Sequence, residues 1–481
     1  MYIFWIFSGR MLGAFENEPH VGGVLYENDV DTVGKFFHML DRMIKERKEL
    51  FRGGNYNQYV MTHGVTCPAV LVVIDNIANF REKTEFKFDD QLMLLTRECA
   101  AYGIYFLMSA AGFNTTEIPS RLRDNIQQTI CLEMTDKFAY GNCLNIMQLP
   151  VIPESGIHGR GLAAVNGVPL EFHTAVAVLA EDDYKRREKI EQQCSKMSEA
   201  WTGRAARPIP KIPEKPIWSQ FAALDEVQTL GADNRNLPIG YDLQTASIYS
   251  IDLYRNYCYL ISGKRQSGKT NMLKALMYSA KMKDANLVVV EFGSTELQRT
   301  AADLEAKYLN SYEEYMVFLR GFVPVFQERN RLKKDCLKAD MEKEEVYARL
   351  SQEKPWFIFI ADLPAYTAQM HGVQGLKDNA CGAMANLFDK GYLHNIFFFA
   401  CMNQDQKTEV MGKDVYEKFV REKAGIDLGG NVMAQRLFDF TGMPFSEQSA
   451  VEKPGIGAVP PGDDEPYHKI VVPLVKGQQG V

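Results

Sequence analysis

The sequence predicts an α/β protein of two tandem modules, each built on a mainly parallel sheet covered by helices. Three observations predict it. Short uninterrupted apolar runs alternate with longer helix-like segments, as in parallel strands buried on both faces. The same order of elements recurs on either side of a proline-rich stretch. One apolar run passes through a glycine-rich loop directly into a helical pattern.

In the first module, Tyr2 to Phe7 reads as a strand, and Thr32 to Phe51 as a helix containing Glu46-Arg47. Pro68 to Asp75 is a second strand with an aspartate at its end, and Gly103 to Met108 a third. A charged stretch then leads into Arg207 to Pro216, whose four prolines favour an extended spacer. In the second module, Tyr257 to Ser262 is a strand ending in the loop at Gly263, and Asn271 to Met282 is helical, with Met272, Leu273, Leu276 and Met277 on one side. Ala285 to Phe292 is the next strand, and a long amphipathic helix from Ser311 to Lys334 carries Glu328-Arg329. Trp356 to Ala361 delivers Asp362 at a strand end, and Asn395 to Ala400 ends near Asn403. Phe7-Ser8-Gly9 aligns with Phe292-Gly293-Ser294. The first module therefore lacks the counterpart of about fifty residues that would hold its own loop, and Met1 falls inside a fold. The expected organisation is a truncated module over 1–180, a proline-rich linker over 181–235, and a module with an intact loop over 236–481.

Length and composition agree with that division. At 481 residues the chain exceeds one core, given roughly 100 to 200 residues per domain. A formal net charge of -7 argues against a phosphate backbone as the main partner, because nucleic-acid-binding domains cluster a basic excess. The nine cysteines form no C-x-x-C pair, so they read as reduced thiols and not as a zinc or disulfide framework. The eight histidines show no metal-ligand spacing. No apolar run reaches the roughly 18 residues needed to span a bilayer, so this chain is expected to carry no transmembrane segment.

Gly263-Lys264-Arg265-Gln266-Ser267-Gly268-Lys269-Thr270 matches the phosphate-binding pattern G-x-x-x-x-G-K-T. A triphosphate needs several donors aimed at its oxygens, and a glycine-rich turn lets backbone N–H groups approach while a helix N-terminus adds its dipole. Lys269 would reach the β- and γ-phosphates as a point charge. The Thr270 hydroxyl would coordinate Mg2+, with Asp362 holding the ion or one of its waters. ATP and Mg2+ are thus the expected cofactors.

Hydrolysis is a separate matter. A motor of this kind carries a glutamate directly after the strand-end aspartate to polarise water. Here Leu363 follows Asp362, and Asn76 follows Asp75. Glu291 and Asp335 are candidate substitutes, against the plainer reading that both are structural. No catalytic residue is assigned, and slow or conditional turnover is expected. Arg121 and Arg123 could offer a charge to a neighbouring subunit's phosphates or could simply be solvated. Arg47 and Arg329, at matching places in both modules, read as partners of acids on their own helices.

These residues resemble the FtsK/SpoIIIE-like ATPases, and within them the EssC/EccC coupling ATPases of type VII secretion. The resemblance runs through Pro19-His20-Val21-Gly22-Gly23-Val24, the Glu46-Arg47 helix, Arg123-Asp124-Asn125-Ile126, Ile209 to Pro213 and Leu237 to Asp242. It continues through Gly429-Gly430-Asn431, Lys453 to Gly457 and Val471 to Lys476. It implies two RecA-like P-loop NTPase domains, the second, truncated, and the third module of a membrane-anchored protein with three tandem ATPases. It also implies the cytoplasmic side of a cell membrane, homo-oligomers and other subunits of a secretion machine. The implied substrates are small WXG-type proteins recruited through C-terminal export signals, with most hydrolysis in another module. Ala110-Ala111 departs from the motor pattern, where the resemblance implies a polar pair after the fourth strand; only Asn403, in the second module, remains as a sensor-like residue beside the nucleotide, so an active first module is not expected. The alternatives are a DNA-translocating motor of the same superfamily, which would need a basic channel, and a catalytically silent scaffold.

Overall fold

The computed structural model describes residues 2–6, 11–115, 117–134, 136–372, 377–462 and 465–476. The chain divides into two compact units, Met1–Lys211 and Ile212–Val481.

The first unit contains strands β1 (Tyr2–Ile6), β2 (Val21–Leu25), β3 (Val70–Asp75) and β4 (Ile104–Met108) in a parallel sheet ordered β2-β1-β3-β4. The helix Val30–Phe51 buries Phe36, Phe37, Leu40 and Ile44 against it. The comparison with Phe292-Gly293-Ser294 rested on Phe7-Ser8-Gly9, which lie outside the described residues. β4 is an edge strand whose burial alternates, leaving Tyr105 and Leu107 exposed. A small antiparallel sheet of β5 (Ile130–Cys131), β6 (Arg160–Val165) and β7 (Val168–His173) has its own cluster around Tyr140, Leu144 and Leu162.

Residues 181–235, read from sequence as a linker, contain three helices. The first, Asp183–Ala200, is capped by Asp182 and buries Ile190 and Cys194 against Ala14. The proline-rich run then lies along the first unit: Ala206 N donates to Pro19 O at 2.8 Å and Ile209 N to Gly22 O at 3.1 Å. Gly23 makes room for it, because a Cβ there would come within 2.7 Å of Ile209 Cδ1. The helices Trp218–Ala222 and Asp225–Ala232 pack Trp218, Phe221 and Val227 into the core of the second unit.

The second unit is one ten-stranded sheet. Its strands are β8 (Asn236–Asp242), β9 (Ile248–Asp252), β10 (Cys258–Gly263), β11 (Asn286–Val290), β12 (Lys307–Leu309), β13 (Trp356–Ile360), β14 (Ile396–Asn403), β15 (Gly425–Asn431), β16 (Val451–Val459) and β17 (His468–Val471). They are ordered β12-β11-β13-β14-β10-β15-β16-β17-β8-β9. The six from β12 to β15 are parallel, and β10, β13 and β14 are almost wholly buried, as strands covered on both faces must be. From β15 onward the pairing turns antiparallel, an extension not expected from the mainly parallel reading.

Each repeated arginine ties together elements within its own unit, but not through its helix's acids. Arg47 is buried and donates through Nη2 to Pro68 O at 2.7 Å and through Nη1 to Tyr102 O. Arg329, on the helix Tyr312–Lys338, donates through Nη2 to Lys354 O at 3.0 Å and through Nη1 to Leu350 O at 3.5 Å. In each unit one carbonyl lies just ahead of the strand that ends in the aspartate. A guanidinium with five donors can bridge two backbone carbonyls at once, which outweighs an exposed ion pair with the neighbouring glutamate.

One buried side chain makes the second unit acid-sensitive. His394 stacks on Phe326 at 4.6 Å, its Nδ1 meets Tyr392 O at 2.9 Å, and burial pushes its pKa down from 6.5 to about 4. The unfolded chain therefore binds the extra proton first. Stability is fully present above pH 6.5 and falls as pH drops towards 4, by about 3 kcal/mol from this residue. Urea unfolding at stepped pH should show that slope, and His394→Asn should flatten it.

Candidate nucleotide-binding site

The glycine-rich loop sits at the C-terminal edge of the parallel half of the sheet, where α/β folds bind ligands. β10 leads into it and the helix Lys269–Lys281 leaves it. Gly263 is register partner to Asn403 on β14 and to Leu428 on β15. Only glycine fits at Gly263, since a Cβ would stand 2.4 Å from both Leu428 O and Ser267 Oγ. Lys264, Arg265 and Gln266 form the exposed crest. Ser267 is buried, and among the described residues its Oγ has no hydrogen-bond partner.

Behind the loop lies a glycine-rich wall from the antiparallel half of the sheet. Gly455 N donates to Ser267 O at 2.9 Å. A Cβ on Gly268 would approach Gly455 N to 3.2 Å, and one on Gly429 would meet Ser267 Cβ at 3.0 Å. Gly429-Gly430 and Lys453 to Gly457, which from sequence carried only a family likeness, therefore support the loop by letting backbone pack against backbone.

Lys269 folds over the loop, donating from Nζ to Lys264 O at 2.6 Å and Gly263 O at 3.3 Å. Burial holds its pKa below the ordinary lysine value. A phosphate bound at the loop would offset that burial cost. Buried Asp427, on β15, accepts from Gln404 Nε2 at 2.7 and 2.9 Å, and burial raises its pKa. Cys401 donates its thiol to Lys269 O at 3.8 Å. Burial pushes that thiol up to about 12.

The structure places the other candidates as follows. Asp362 lies two residues beyond β13 and directly before the helix Leu363–Gly372, accepting from Ala365 N through Oδ1 at 2.8 Å. Asn403 ends β14, but its side chain caps the short turn Gln404–Gln406. Thr270 Oγ1 donates to Glu296 Oε2 at 3.0 Å, a partner missed from sequence because 26 residues separate the two. Glu291 is unsuited to act as a base: fully buried, it accepts from Ser294 Oγ, from Glu296 N at 3.0 Å, from Leu297 N at 3.1 Å and from Tyr308 OH at 2.9 Å. Asp335 is at the wrong edge of the sheet, since its neighbour Cys336 packs with Leu393 and Tyr392, ahead of β14. In the first unit, Asp75 accepts from Ser109 Oγ at 2.7 Å, Arg123 stacks over Phe113 at 5.2 Å, and Arg121 is exposed.

The residues present fit a magnesium-bound triphosphate. They offer a buried hydroxyl at Ser267 with no hydrogen-bond partner among the described residues, an ammonium held over two loop carbonyls, the N-terminus of a thirteen-residue helix, and the Thr270 hydroxyl beside the Glu296 carboxylate. Thr270 and Asp362 would hold Mg2+, and Lys269 would exchange its carbonyl partners for phosphate oxygens. Bound there, the ion would neutralise charge on the β- and γ-phosphates.

No family model matches the chain. Among curated proteins, the type VII secretion system protein EssC of Staphylococcus aureus (strain MRSA252) is 25% identical over 258 residues, covering 53% of this chain and 17% of that protein. The ESX secretion system protein EccC of Geobacillus thermodenitrificans (strain NG80-2) is 22% identical over 337 residues, covering 69% of this chain and 22% of that one. The chain thus spans about a fifth of the length of the curated relatives it matches. Two solved structures share the fold across 99% of the chain. EssC (ATPases 2 and 3) from Geobacillus thermodenitrificans has a TM-score of 0.69 at 20% identity, over 85% of its own length. Thermomonospora curvata EccC (ATPases 2 and 3), solved in complex with a signal sequence peptide, has a TM-score of 0.57 at 18% identity, over 82%. With that loop, on that sheet, the homologues of this chain are the P-loop ATPases of type VII secretion, EssC and EccC.

Proposed function

We propose that this chain is the ATP-binding part of a membrane-anchored type VII secretion ATPase, comprising a second module over 1–180, a linker over 181–235 and a third module over 236–481. ATP with Mg2+ binds at Gly263 to Thr270, with Asp362 at the metal and Asn403 beside the loop. Turnover there is weak or regulated, because the residue after Asp362 is Leu363, which is wholly buried and faces the core. The protein recruits small WXG-type substrates through their C-terminal export signals and works in oligomers with other subunits of the machine. The signal-peptide complex of the Thermomonospora curvata relative supports that role.

The single observation carrying this reading is the intact loop at the strand edge, with Lys269 held over it. Isothermal titration tests it. Lys269→Ala should weaken ATP binding by about 10- to 100-fold, the worth of a charged hydrogen bond. Equal affinity in both proteins would remove the assignment. Salt-dependent DNA binding at physiological ionic strength would favour a DNA-translocating motor instead.

A further inference from the structure

The hydroxyl of Thr270 would be the metal ligand of the loop, and its proton then needs an acceptor other than the ion. That acceptor is Glu296: Thr270 Oγ1 donates to its Oε2 at 3.0 Å. Asp362, the residue expected to serve the metal, spends Oδ1 on Ala365 N at 2.8 Å. We propose that Glu296 is the positioning carboxylate of the metal site, orienting Thr270 towards Mg2+ and raising the basicity of its oxygen. The proposal rests on the reading of Gly263 to Thr270 as the nucleotide site.

The position of Glu296 is built, not incidental. The segment carrying it follows β11 and is clamped by buried Glu291, which accepts from the Glu296 and Leu297 N–H groups and from the hydroxyls of Ser294 and Tyr308. A carboxylate spent on four donors from one short segment and a neighbouring strand fixes where that backbone lies. Glu296 itself is exposed, so the backbone clamp and the Thr270 hydroxyl are what hold its side chain at the loop. Partners of this type usually alter metal affinity by 10- to 100-fold when removed.

The test is the affinity of a fluorescent ATP analogue, measured with Mg2+ and with EDTA, for the wild type, Glu296→Gln, Thr270→Ala and the double variant. Glu296→Gln should cut the Mg2+-dependent gain in affinity by about 10-fold and leave the metal-free affinity unchanged. The double variant should lose no more than Thr270→Ala alone, because Glu296 acts through that hydroxyl. An unchanged Mg2+ gain in Glu296→Gln would overturn the proposal. So would tighter binding both with and without Mg2+, which would mark Glu296 as a repelling charge. A wild type that binds no analogue in either condition would overturn the nucleotide-site reading itself, a result distinct from both.

Discussion

Leu363→Glu will destabilise the second unit by about 4 kcal/mol or more and will not raise ATP hydrolysis. The substitution writes in the residue that a motor places after its strand-end aspartate. In this fold the side chain at that position is wholly buried in the apolar core, on the first residue of the helix that Asp362 caps. A carboxylate there would lose the packing of a leucine and would face neither water nor nucleotide. Urea unfolding of the variant, followed beside a phosphate-release assay, checks both halves of the statement. A folded Leu363→Glu protein with faster turnover would show that the helix can rotate its first turn towards the loop.

Gly263→Ala is expected to cost about 3 kcal/mol and to weaken ATP binding at least roughly tenfold. The added carbon would lie 2.4 Å from a backbone oxygen of β15 and from Ser267 Oγ. A flexible side chain could swing away from such a contact, but Leu428 O belongs to a central strand held between β10 and β16. β15 or the loop must therefore move, and either shift displaces the donors that would meet the phosphates. Thermal unfolding and ATP titration of the purified variant report the two losses separately.

The central half of the second unit was legible because four apolar runs and the glycine loop carry their own signals. Strands read at Tyr257 to Ser262, Ala285 to Phe292, Trp356 to Ala361 and Asn395 to Ala400 lie where β10, β11, β13 and β14 form. The antiparallel half was not legible. β8 contains Pro238 and Gly240, and β16 contains Pro454, Gly455 and Gly457, so neither shows the alternation or apolar run that marks a strand. Gly455 packs against the loop, Gly240 against the backbone of Val471 and Gly457 against the side chains of Ile426 and Leu428, a tertiary reason that leaves no local pattern.

The site divides in the same way. Lys269, Thr270 and Asp362 could be named from spacing and strand ends. Glu296 could not, because its link to Thr270 is made across the sheet edge by a loop that Glu291 holds. Glu291 was noticed as a spare carboxylate, but its role depends on four donors visible only in three dimensions. The arginine pairs teach a related lesson. Their repetition was evident at Arg47 and Arg329, whereas their partners are backbone carbonyls, which have no residue identity to read.

The most direct test of the account follows ATP binding and phosphate release in one sample of the wild-type chain, beside Lys269→Ala. The account predicts saturable, Lys269-dependent binding with phosphate released far more slowly than the roughly 10 per second of a typical enzyme. Sustained turnover near that rate would contradict the assignment of Gly263 to Thr270 as a control site, and binding indifferent to Lys269 would contradict the site itself.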